Sequence, residues 1–412
     1  MKYFGKHFWY IIIALVILSG GTFLYLNFKV GTHTFETDNT DGNSLKGEAS
    51  SAQVVPTVPV PPPVTHISTP NEVRAVYVSA WTAGSAVPRD RIISLIDSTE
   101  LNSIVIDIKD STGYISYEVT DPTLKAYGSY QKRIKDIKAL TEMLHKKNIY
   151  IIGRISTLQD SYMTKKEPSW AITKKSDGGV WKDRKGLSFM DPTNDNVLEY
   201  TILMAKEAYS VGFDEINFDY IRYPSDGNIK DINYRLGEGR TRAMNMKDFF
   251  SKLNAGVKEG ENIPTSADLF GLTTTEKTDM GIGQVIEDAI PNFDFIAPMV
   301  YPSHFATGFG NYKIPAEHPY EVINTTMKSA ITRSIALGFT ADKIRPWLQD
   351  FSIKDNGYYV KYTPELVKAQ MKGAKDAGID SWMLWDPSNK YTPSALLSTT
   401  DVNYRDASSN KQ

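Results

Sequence analysis

The sequence contains no cysteine and only six histidines among its 412 residues. The first absence excludes disulfide bonds, thiol catalysis and cysteine-ligated metals, because each of these needs a cysteine sulfur. No two histidines stand in an H-x-x-x-H or HExxH arrangement, which disfavours a zinc hydrolase or a metal-dependent deacetylase. Acidic and basic residues are interspersed and nearly balanced, with a net charge of −2. That balance gives no electrostatic indication of a nucleic-acid partner.

A long segment without charge stands near the N-terminus. No residue between His7 and Phe28 carries a full charge, and such a run is long enough to cross a bilayer. Lys2 and Lys6 precede it, and the positive-inside tendency then places the rest of the chain outside the cytoplasm. We predict a membrane anchor over residues 1–30 of a single-pass protein. A cleaved signal peptide, which would leave the protein secreted, is the alternative.

The remaining chain divides by composition. Residues 31–70 are polar and then proline-rich, with "VVPTVPVPPPV" at 54–64, and such a segment forms a disordered spacer rather than a core. Residues 71–400 are predicted to form one folded domain, and 401–412 a flexible tail. With 41% apolar and 11% aromatic residues, the chain can bury a large core.

Within the folded domain, short apolar runs alternate with amphipathic stretches, which predicts strands alternating with helices. The predicted strands cover residues 73–81, 103–109, 149–156, 213–219, 264–271, 293–302, 344–351 and 381–387. The predicted helices include residues 132–147, 196–212, 243–258 and 364–378. Eight such strands favour an α/β fold of the (β/α)8 TIM-barrel type. A doubly wound open sheet is the alternative, but its first strand usually leads into a phosphate-binding glycine loop, and "SAWTAGSAVP" is not one.

The fourth predicted strand lies in "GFDEINFDYIRYPSDG", residues 212–227. Side chains alternate between the two faces of a strand, so Glu215, Asn217 and Asp219 share one face and the apolar Ile216 and Phe218 share the other. The polar row is predicted to line the barrel interior, with Asp219 at its mouth. For Glu215 and Asn217, the alternative is that they only satisfy one another inside the barrel.

The second predicted strand carries Asp107 and Lys109 on one face. This inward pair belongs either to the site or to a structural ion pair, because structural pairs also perturb pKa values. Together with Asp110, Asp219 and Asp268, Asp107 could supply oxygen ligands to calcium or magnesium. Nothing in the spacing demands a metal, and no cofactor is predicted.

Carboxylates at separate strand ends are what cleavage of a glycosidic bond requires. One group must be protonated to serve as acid, and the other must be ionised to serve as nucleophile or base. Asp219 and Asp268, on adjacent strands, are the predicted pair, with Asp219 as nucleophile or base and Asp268 as general acid. Asp350 and Asp386, across the mouth, are the reserve candidates.

The predicted substrate-binding residues combine aromatic, basic and polar groups at or near strand ends. Aromatic rings stack on sugar faces, although core packing accounts for more aromatics than ligand binding does. Arginines can form hydrogen bonds with sugar hydroxyls or with an acidic substrate group, or can orient the carboxylates. The predicted set is Trp81, Asp107, Lys109, Arg154, Arg222, Tyr301, His304, Trp347, Gln349, Asp350, Trp385 and Asp386.

Six motifs occur in order through residues 73–392: "IDIKDSTG" (106–113), the 212–227 stretch, "SADLFG" (266–271), "APMVYPSHF" (297–305), "PWLQDF" (346–351) and "LWDPSN" (384–389). In these motifs the chain resembles a bacterial glycoside hydrolase family with a TIM-barrel domain that was long catalogued as a domain of unknown function. The resemblance implies a sugar-cleaving barrel behind a membrane anchor or secretion signal. It does not identify the sugar.

A more distant likeness connects the fourth strand to chitinase-type barrels, in which it reads D-G-x-D-x-D-x-E. Asp214 and Asp219 match that pattern, but Asn217 replaces its middle aspartate and Ile221 stands where the catalytic glutamate should be. The departure argues against a mechanism assisted by the substrate's own N-acetyl group. The acid must then come from another strand, hence Asp268.

The sequence therefore predicts a glycoside hydrolase that acts on an extracellular or cell-envelope polysaccharide. A catalytically inactive glycan-binding barrel, acting as an envelope scaffold or sensor, is one alternative. A structural partner in an envelope complex is another, and it predicts a large apolar surface patch away from the strand ends.

Overall fold

The computed structural model describes residues 64–355 and 358–397. Eight parallel strands form a closed barrel in which each strand pairs with its chain neighbours and the last pairs with the first. These strands are β1 (Arg74–Val78), β2 (Ser103–Lys109), β3 (Tyr150–Ser156), β4 (Glu215–Asp219), β5 (Thr265–Phe270), β6 (Phe295–Met299), β7 (Trp347–Gln349) and β8 (Trp382–Trp385). The predicted (β/α)8 barrel is confirmed, and every predicted strand overlaps one of the eight.

Helices occupy most of the crossovers between the strands. The helices of ten or more residues are α1 (Ala86–Ser98), α2 (Ile137–Lys146), α3 (Asp195–Ser210), α4 (Arg242–Lys258), α5 (Pro319–Ala336) and α6 (Pro364–Ala377). Shorter helices cover Ala80–Ala83, Pro122–Tyr127, Met163–Lys166 and Ile286–Ala289. Two small antiparallel pairs join Thr173–Lys174 to Ile232–Asn233 and Ile353–Asp355 to Tyr358–Val360. The four predicted helices correspond to α2, α3, α4 and α6.

Local sequence sets the ends of these helices. Asp136 caps α2 by accepting a hydrogen bond from the backbone N–H of Ala139 at 3.0 Å, which satisfies one of the donors that a helix start leaves free. Helix α6 begins with Pro364, whose fixed φ suits the first turn, and ends at Gly378 with a φ of 98°. Glycine adopts that left-handed conformation without a side-chain clash.

Alternation along the strands produces two separate cores. In β2, Ile104, Ile106 and Ile108 pack outward with the helices, whereas Val105 packs inside the barrel. The inner core is small and rich in aromatics: Val73, Ala75, Tyr77, Val105, Tyr150, Ile152, Ala297, Tyr301, Trp347 and Met383. The strands of a parallel barrel are buried on both faces, so polar side chains that face inward must find partners there.

Glu215, which begins β4, has its partners inside the barrel. Nη1 of Arg345 lies 2.9 and 3.0 Å from its two carboxylate oxygens, and Tyr150 donates to Oε2 at 3.0 Å. Ser266 donates to Oε1 at 2.6 Å and accepts a hydrogen bond from Asn217 at 3.0 Å. Glu215 and Asn217 are therefore linked through a shared serine, and the ionic partner of Glu215 is Arg345. This buried network fixes the inner wall beneath the mouth.

Residues ahead of β1 belong to the folded unit. The backbone N–H of Ile67 donates to Asp214 at 2.8 Å, and Thr69 hydrogen-bonds to the hydroxyl of Tyr150 at 2.9 Å. Asp214 also lies 3.0 Å from Nε2 of His145. Asp214 immediately precedes β4, at the end of the barrel opposite the mouth, so its match to the chitinase pattern is structural in this chain.

The predicted anchor over 1–30, all but the last residues of the predicted spacer over 31–70, and the predicted tail over 401–412 lie outside the described residues. Among the helices that the structure does describe, none is long and apolar enough to cross a membrane.

Candidate active site

The chain turns sharply where β4 ends, and this turn builds one wall of the site. Tyr220 follows Asp219 with a φ of 49°, a left-handed conformation that is uncommon for a bulky residue and is held only where the surroundings enforce it. Backbone hydrogen bonds from Thr157 to Asp219 and from Leu158 to Tyr220 secure the turn. Asp219 and Tyr220 consequently face the mouth of the barrel, while the next residue enters the outer core.

A pocket of about 360 Å³ opens at this carboxyl end of the strands. Its lining residues are Arg154, Asp219, Tyr220, Arg222, Asp268, Phe270, Gly271, Leu272, Met299, Tyr301, His304, Phe305 and Trp385. Seven of these were singled out from the sequence, the two predicted catalytic aspartates among them. The position agrees with the general rule that barrel enzymes place their chemistry at the ends of the strands.

Arg154 joins two carboxylates at the mouth. Its Nη2 and Nε donate to Oδ2 of Asp219 at 2.5 and 3.1 Å, and its Nη1 donates to Oδ1 of Asp107 at 2.6 Å. The hydroxyl of Tyr77 donates to the other oxygen of Asp107 at 2.6 Å. Burial raises the pKa of Asp107 in spite of these contacts. Arg154 therefore joins Asp107 and Asp219 through charge-assisted hydrogen bonds.

Asp268 has a different environment on the adjacent strand. Asn217 and Trp347 both donate to its Oδ1 at 2.8 Å, and Oδ2 accepts no hydrogen bond from any described residue. Burial, followed by the negative charge of nearby Asp219, raises the pKa of Asp268 well above its usual range. This shift favours the protonated form of Asp268, which is the form that a general acid requires.

Two residues that support this arrangement were not predicted. Tyr77 stacks on Trp385 with ring centroids 3.9 Å apart, in addition to its bond to Asp107. The side-chain amide of Gln284 donates to the backbone carbonyl of Asp268 at 3.1 Å and accepts from the N–H of Phe270 at 3.0 Å. The alternation of the first strand could have identified Tyr77 as inward-facing. Gln284 lies in a loop, where no periodic pattern indicates its position.

Lys109 does not face the pocket, and the inward pair with Asp107 does not form. The pairing register of β2 shifts between these two residues, so the simple alternation that would place them on one face fails there. Lys109 instead forms a fully buried ion pair with Asp160 at 2.6 Å. Its ammonium lies 5.7 Å from the ring centroid of Tyr200 on α3, so Lys109 contributes to the outer packing.

Two predicted tryptophans also lie apart from the pocket surface. Trp81 is 61% exposed on the short helix after β1, with the guanidinium of Arg133 5.1 Å from its ring centroid. Trp347 is fully buried and contacts the site through its hydrogen bond to Asp268 and through an edge-to-face contact with Trp385, with ring centroids 5.5 Å apart. The first is a surface contact, and the second positions a carboxylate.

The strand-end residues of β7 hold neighbouring loops. Gln349 accepts a hydrogen bond from the backbone N–H of Ser303 at 3.1 Å. Asp350 accepts two from Thr392, at 2.8 and 2.7 Å, and burial raises the pKa of Asp350 to about 6. Neither side chain lines the main pocket, so the structure places them as supports for the loops of the mouth.

A second pocket, of about 350 Å³, adjoins the first. The two share Tyr301, His304 and Trp385, and the second adds Phe351 and Asp386. The mouth is therefore an elongated cleft with aromatic rings in its middle, a shape that suits a chain of sugar rings better than a single one.

The four aspartates considered as metal ligands have other partners. Asp110 lies 2.6 Å from Nη1 of Arg133, Asp107 and Asp219 share Arg154, and Asp268 accepts from neutral donors. Across residues 64–355 and 358–397, no three His, Asp or Glu side chains are grouped as a metal site would require.

Comparison with known proteins gives one family match. The model of a family described as "Putative glycosyl hydrolase domain" matches residues 75–391. No curated protein matches the chain.

Solved structures were compared with the chain, and the first of the two that follow shares its fold. The PgaB (BpsB) glycoside hydrolase domain from Bordetella bronchiseptica superposes with a TM-score of 0.56 at 11% identity, over 79% of this chain and 99% of that one. A hypothetical protein from Ruminiclostridium thermocellum ATCC 27405 is 32% identical over 47% of this chain and 96% of its own, with a TM-score of 0.42.

Proposed function

This chain belongs to the family described as "Putative glycosyl hydrolase domain", and from that premise we propose that it hydrolyses a glycosidic bond of an extracellular or cell-envelope polysaccharide. The observation that carries the proposal is the contrast between two carboxyl groups of one pocket. Arg154 donates two hydrogen bonds to Asp219, whereas burial and the neighbouring charge of Asp219 raise the pKa of Asp268. Carboxyl groups with opposed environments are the requirement for acid-assisted cleavage of a sugar chain.

In the proposed reaction, Asp268 gives its proton to the oxygen of the leaving sugar. Asp219 then acts at the anomeric carbon, directly as a nucleophile in a retaining reaction or through water as a base in an inverting one. Arg154 withdraws negative charge from Asp219 and keeps it oriented. Asn217 and Trp347 position Asp268 through its Oδ1 and leave Oδ2 for the leaving oxygen.

The cleft supports an assignment of subsites. Trp385 and Tyr301 stand where the two pockets meet, and we assign them to sugar rings on either side of the scissile bond, since aromatic faces pack on sugar rings. The second pocket, with Phe351 and Asp386, accommodates a further ring. An extended substrate is thus expected to be cleaved faster than a disaccharide.

One observation favours a second function, that of a glycan-binding barrel without catalysis. Both oxygens of Asp219 are engaged, Oδ2 by Arg154 and Oδ1 by the backbone N–H of Tyr220 at 2.5 Å. A carboxylate so fully satisfied is less available as a nucleophile or base. Glycan binding that is unaffected by Asp219→Asn, with no product from the wild type, would establish this reading.

We also propose that an anchor over residues 1–30 and a spacer within 31–70, ahead of the residues that join the folded unit, hold the barrel outside the cytoplasm, and that residues 401–412 form a flexible tail. The support is the uncharged run between His7 and Phe28 behind Lys2 and Lys6, and the proline-rich sequence at 54–64. Fractionation of cells that express the full chain tests the proposal, because membrane recovery is expected and release into the medium would favour cleavage.

The experiment that tests the activity is reducing-sugar release from envelope polysaccharides by the full chain, purified in mild detergent. Asp219→Asn and Asp268→Asn are each expected to lower the rate at least about 100-fold, because each removes one of the two catalytic groups. Asp342→Asn, a matched change at an exposed aspartate ahead of β7, serves as the control and should retain the rate. Equal rates in all four proteins would refute the assignment.

A further inference from the structure

Arg222 is a buried cation of the pocket that the proposed chemistry leaves unused. It lines the pocket at 7% exposure and forms no ion pair with a carboxylate of the described residues. Arg154 and Arg345, the other arginines inside the barrel, each bind a carboxylate directly. A buried charge without an oppositely charged partner is costly, so the burial of Arg222 needs an explanation.

The guanidinium of Arg222 is held with one edge free. Its Nη1 donates to the backbone carbonyl of Tyr223 at 3.0 Å. Its Cζ lies 5.0 Å from the ring centroid of Tyr220 and 4.5 Å from that of Phe270. Nε is buried and has no partner, and Nη2 donates to no described residue. The Nε and Nη2 edge is the one that forms paired hydrogen bonds with a carboxylate.

Nearby acidic groups do not satisfy this edge. Burial lowers the pKa of Arg222 even though the charges of Asp219, Asp226 and Asp183 oppose the shift. Asp219, the carboxylate of the pocket, has its two oxygens occupied by Arg154 and by the N–H of Tyr220. The aromatic contacts orient the guanidinium but supply no acceptor. A planar anion from outside the chain would supply both the acceptors and the missing charge.

We propose that Arg222 binds the carboxylate of an acidic sugar residue, so that the substrate is an anionic glycan. The inference rests on the proposed function and deepens it by naming the class of substrate. Uronic acids and lactyl ethers on sugar rings both carry such a carboxylate in glycans. A neutral sugar of the same shape would leave the buried guanidinium of Arg222 without an anionic partner. This difference in binding energy would discriminate between acidic and neutral substrates.

The test compares acidic glycans with their own neutral forms. Polygalacturonate and hyaluronan provide uronic acids, and peptidoglycan strands stripped of their peptides provide lactyl carboxylates. Each is offered to the full chain as prepared and after reduction of its carboxyl groups, and both binding and reducing-sugar release are measured. The wild type should prefer at least one acidic form over its reduced counterpart by about 10- to 100-fold, the range of a hydrogen-bonded charge pair.

Variants separate the carboxylate contact from other roles of the residue. Arg222→Gln should abolish the preference, and Arg222→Lys should keep only part of it, because an ammonium lacks the planar edge. Arg91→Gln, a matched change at an exposed arginine on α1, should keep the preference whole. If Arg222→Gln does not fold, the comparison of acidic and reduced glycans with the wild type still decides the question.

The outcomes distinguish this inference from the proposed function. Binding of an acidic glycan that needs Arg222, without any hydrolysis, would support the inference and count against the hydrolase. Hydrolysis of a reduced glycan at least as fast as its acidic form would overturn the inference and leave the hydrolase standing. Failure to bind any of the acidic glycans would overturn the inference as well. Preference for one carboxylate source over the other identifies which sugar Arg222 recognises.

Discussion

Replacement of Arg154 by methionine should destabilise the barrel in a manner that depends on pH. Arg154 is 6% exposed, and its three hydrogen bonds go to Asp107 and Asp219, which are 3% and 5% exposed. Without the guanidinium, a buried carboxyl group must take up a proton or remain charged and unpaired. Breaking one buried pair costs about 3–5 kcal/mol.

Proton uptake limits this cost and fixes its pH dependence. An aspartate with an ordinary pKa near 4 takes up a proton at pH 7 at a cost of about 4 kcal/mol, and at pH 5 at a cost of about 1.5 kcal/mol. Arg154 lowers the pKa of Asp107, so its removal raises that pKa further. The folded variant then binds more protons than its unfolded chain and loses stability as pH rises. The deficit relative to wild type should therefore be about 4 kcal/mol at pH 7 and less than half of that at pH 5.

The assay is equilibrium unfolding in denaturant at pH 5 and pH 7, which needs no substrate. Arg91→Met, at an exposed arginine on α1, should change the free energy of unfolding by less than about 0.5 kcal/mol. Adding Asp107→Asn to Arg154→Met should recover part of the loss at pH 7. A deficit below about 1 kcal/mol, or one that is equal at the two pH values, would refute the account of Arg154 as the charged partner of two buried carboxyl groups.

Three further predictions follow from contacts around the site. Burial raises the folded-state pKa of Asp350 from 3.8 to about 6, so its contribution to stability is present below pH 4 and is lost as pH rises to about 6. Asp350→Asn should therefore remove about 3 kcal/mol from the change in unfolding free energy over this pH range. An unchanged pH dependence of the unfolding free energy would contradict this prediction. Trp347→Phe removes a hydrogen bond that lowers the pKa of Asp268, so the alkaline limb of kcat/KM should move to higher pH, whereas a shift to lower pH would oppose it. Gly271→Ala would place a Cβ 2.5 Å from the backbone oxygen of Met299, so the thermal midpoint of the variant should fall by several degrees. A gain in stability would contradict this prediction.

Much of the fold could be predicted because the pattern of the strands is strong. The eight apolar runs, each followed by a polar group, defined a (β/α)8 barrel and placed Asp219 and Asp268 at one end of it. The alternation in β4 was equally reliable, because an uninterrupted strand has a period of two residues. Where the strands are regular, the sequence therefore predicts which face a side chain lies on.

The remaining features depend on departures from regularity. The register shift in β2 separates Lys109 from Asp107, and no residue type in the strand indicates such a shift. The predicted first strand ended at Trp81, but β1 ends at Val78 and Trp81 lies on the short helix that follows. Trp81 therefore does not lie at a strand end as predicted. The left-handed turn at Tyr220, which sets the surroundings of Arg222, is enforced by neighbouring loops rather than by its own sequence.

The central claim is that Asp268 keeps its proton at neutral pH and acts as the general acid beside Asp219, and a carboxyl titration measures the protonation of Asp268 directly. The full chain is labelled with aspartate carrying ¹³C at its side-chain carboxyl, and its signals are followed by NMR from pH 4 to pH 9 in the wild type and in Asp268→Asn. We predict that one signal typical of a protonated carboxyl persists at pH 7 in the wild type and is missing from Asp268→Asn. A signal of Asp268 that is already ionised at pH 5 would contradict the division of roles between the two aspartates.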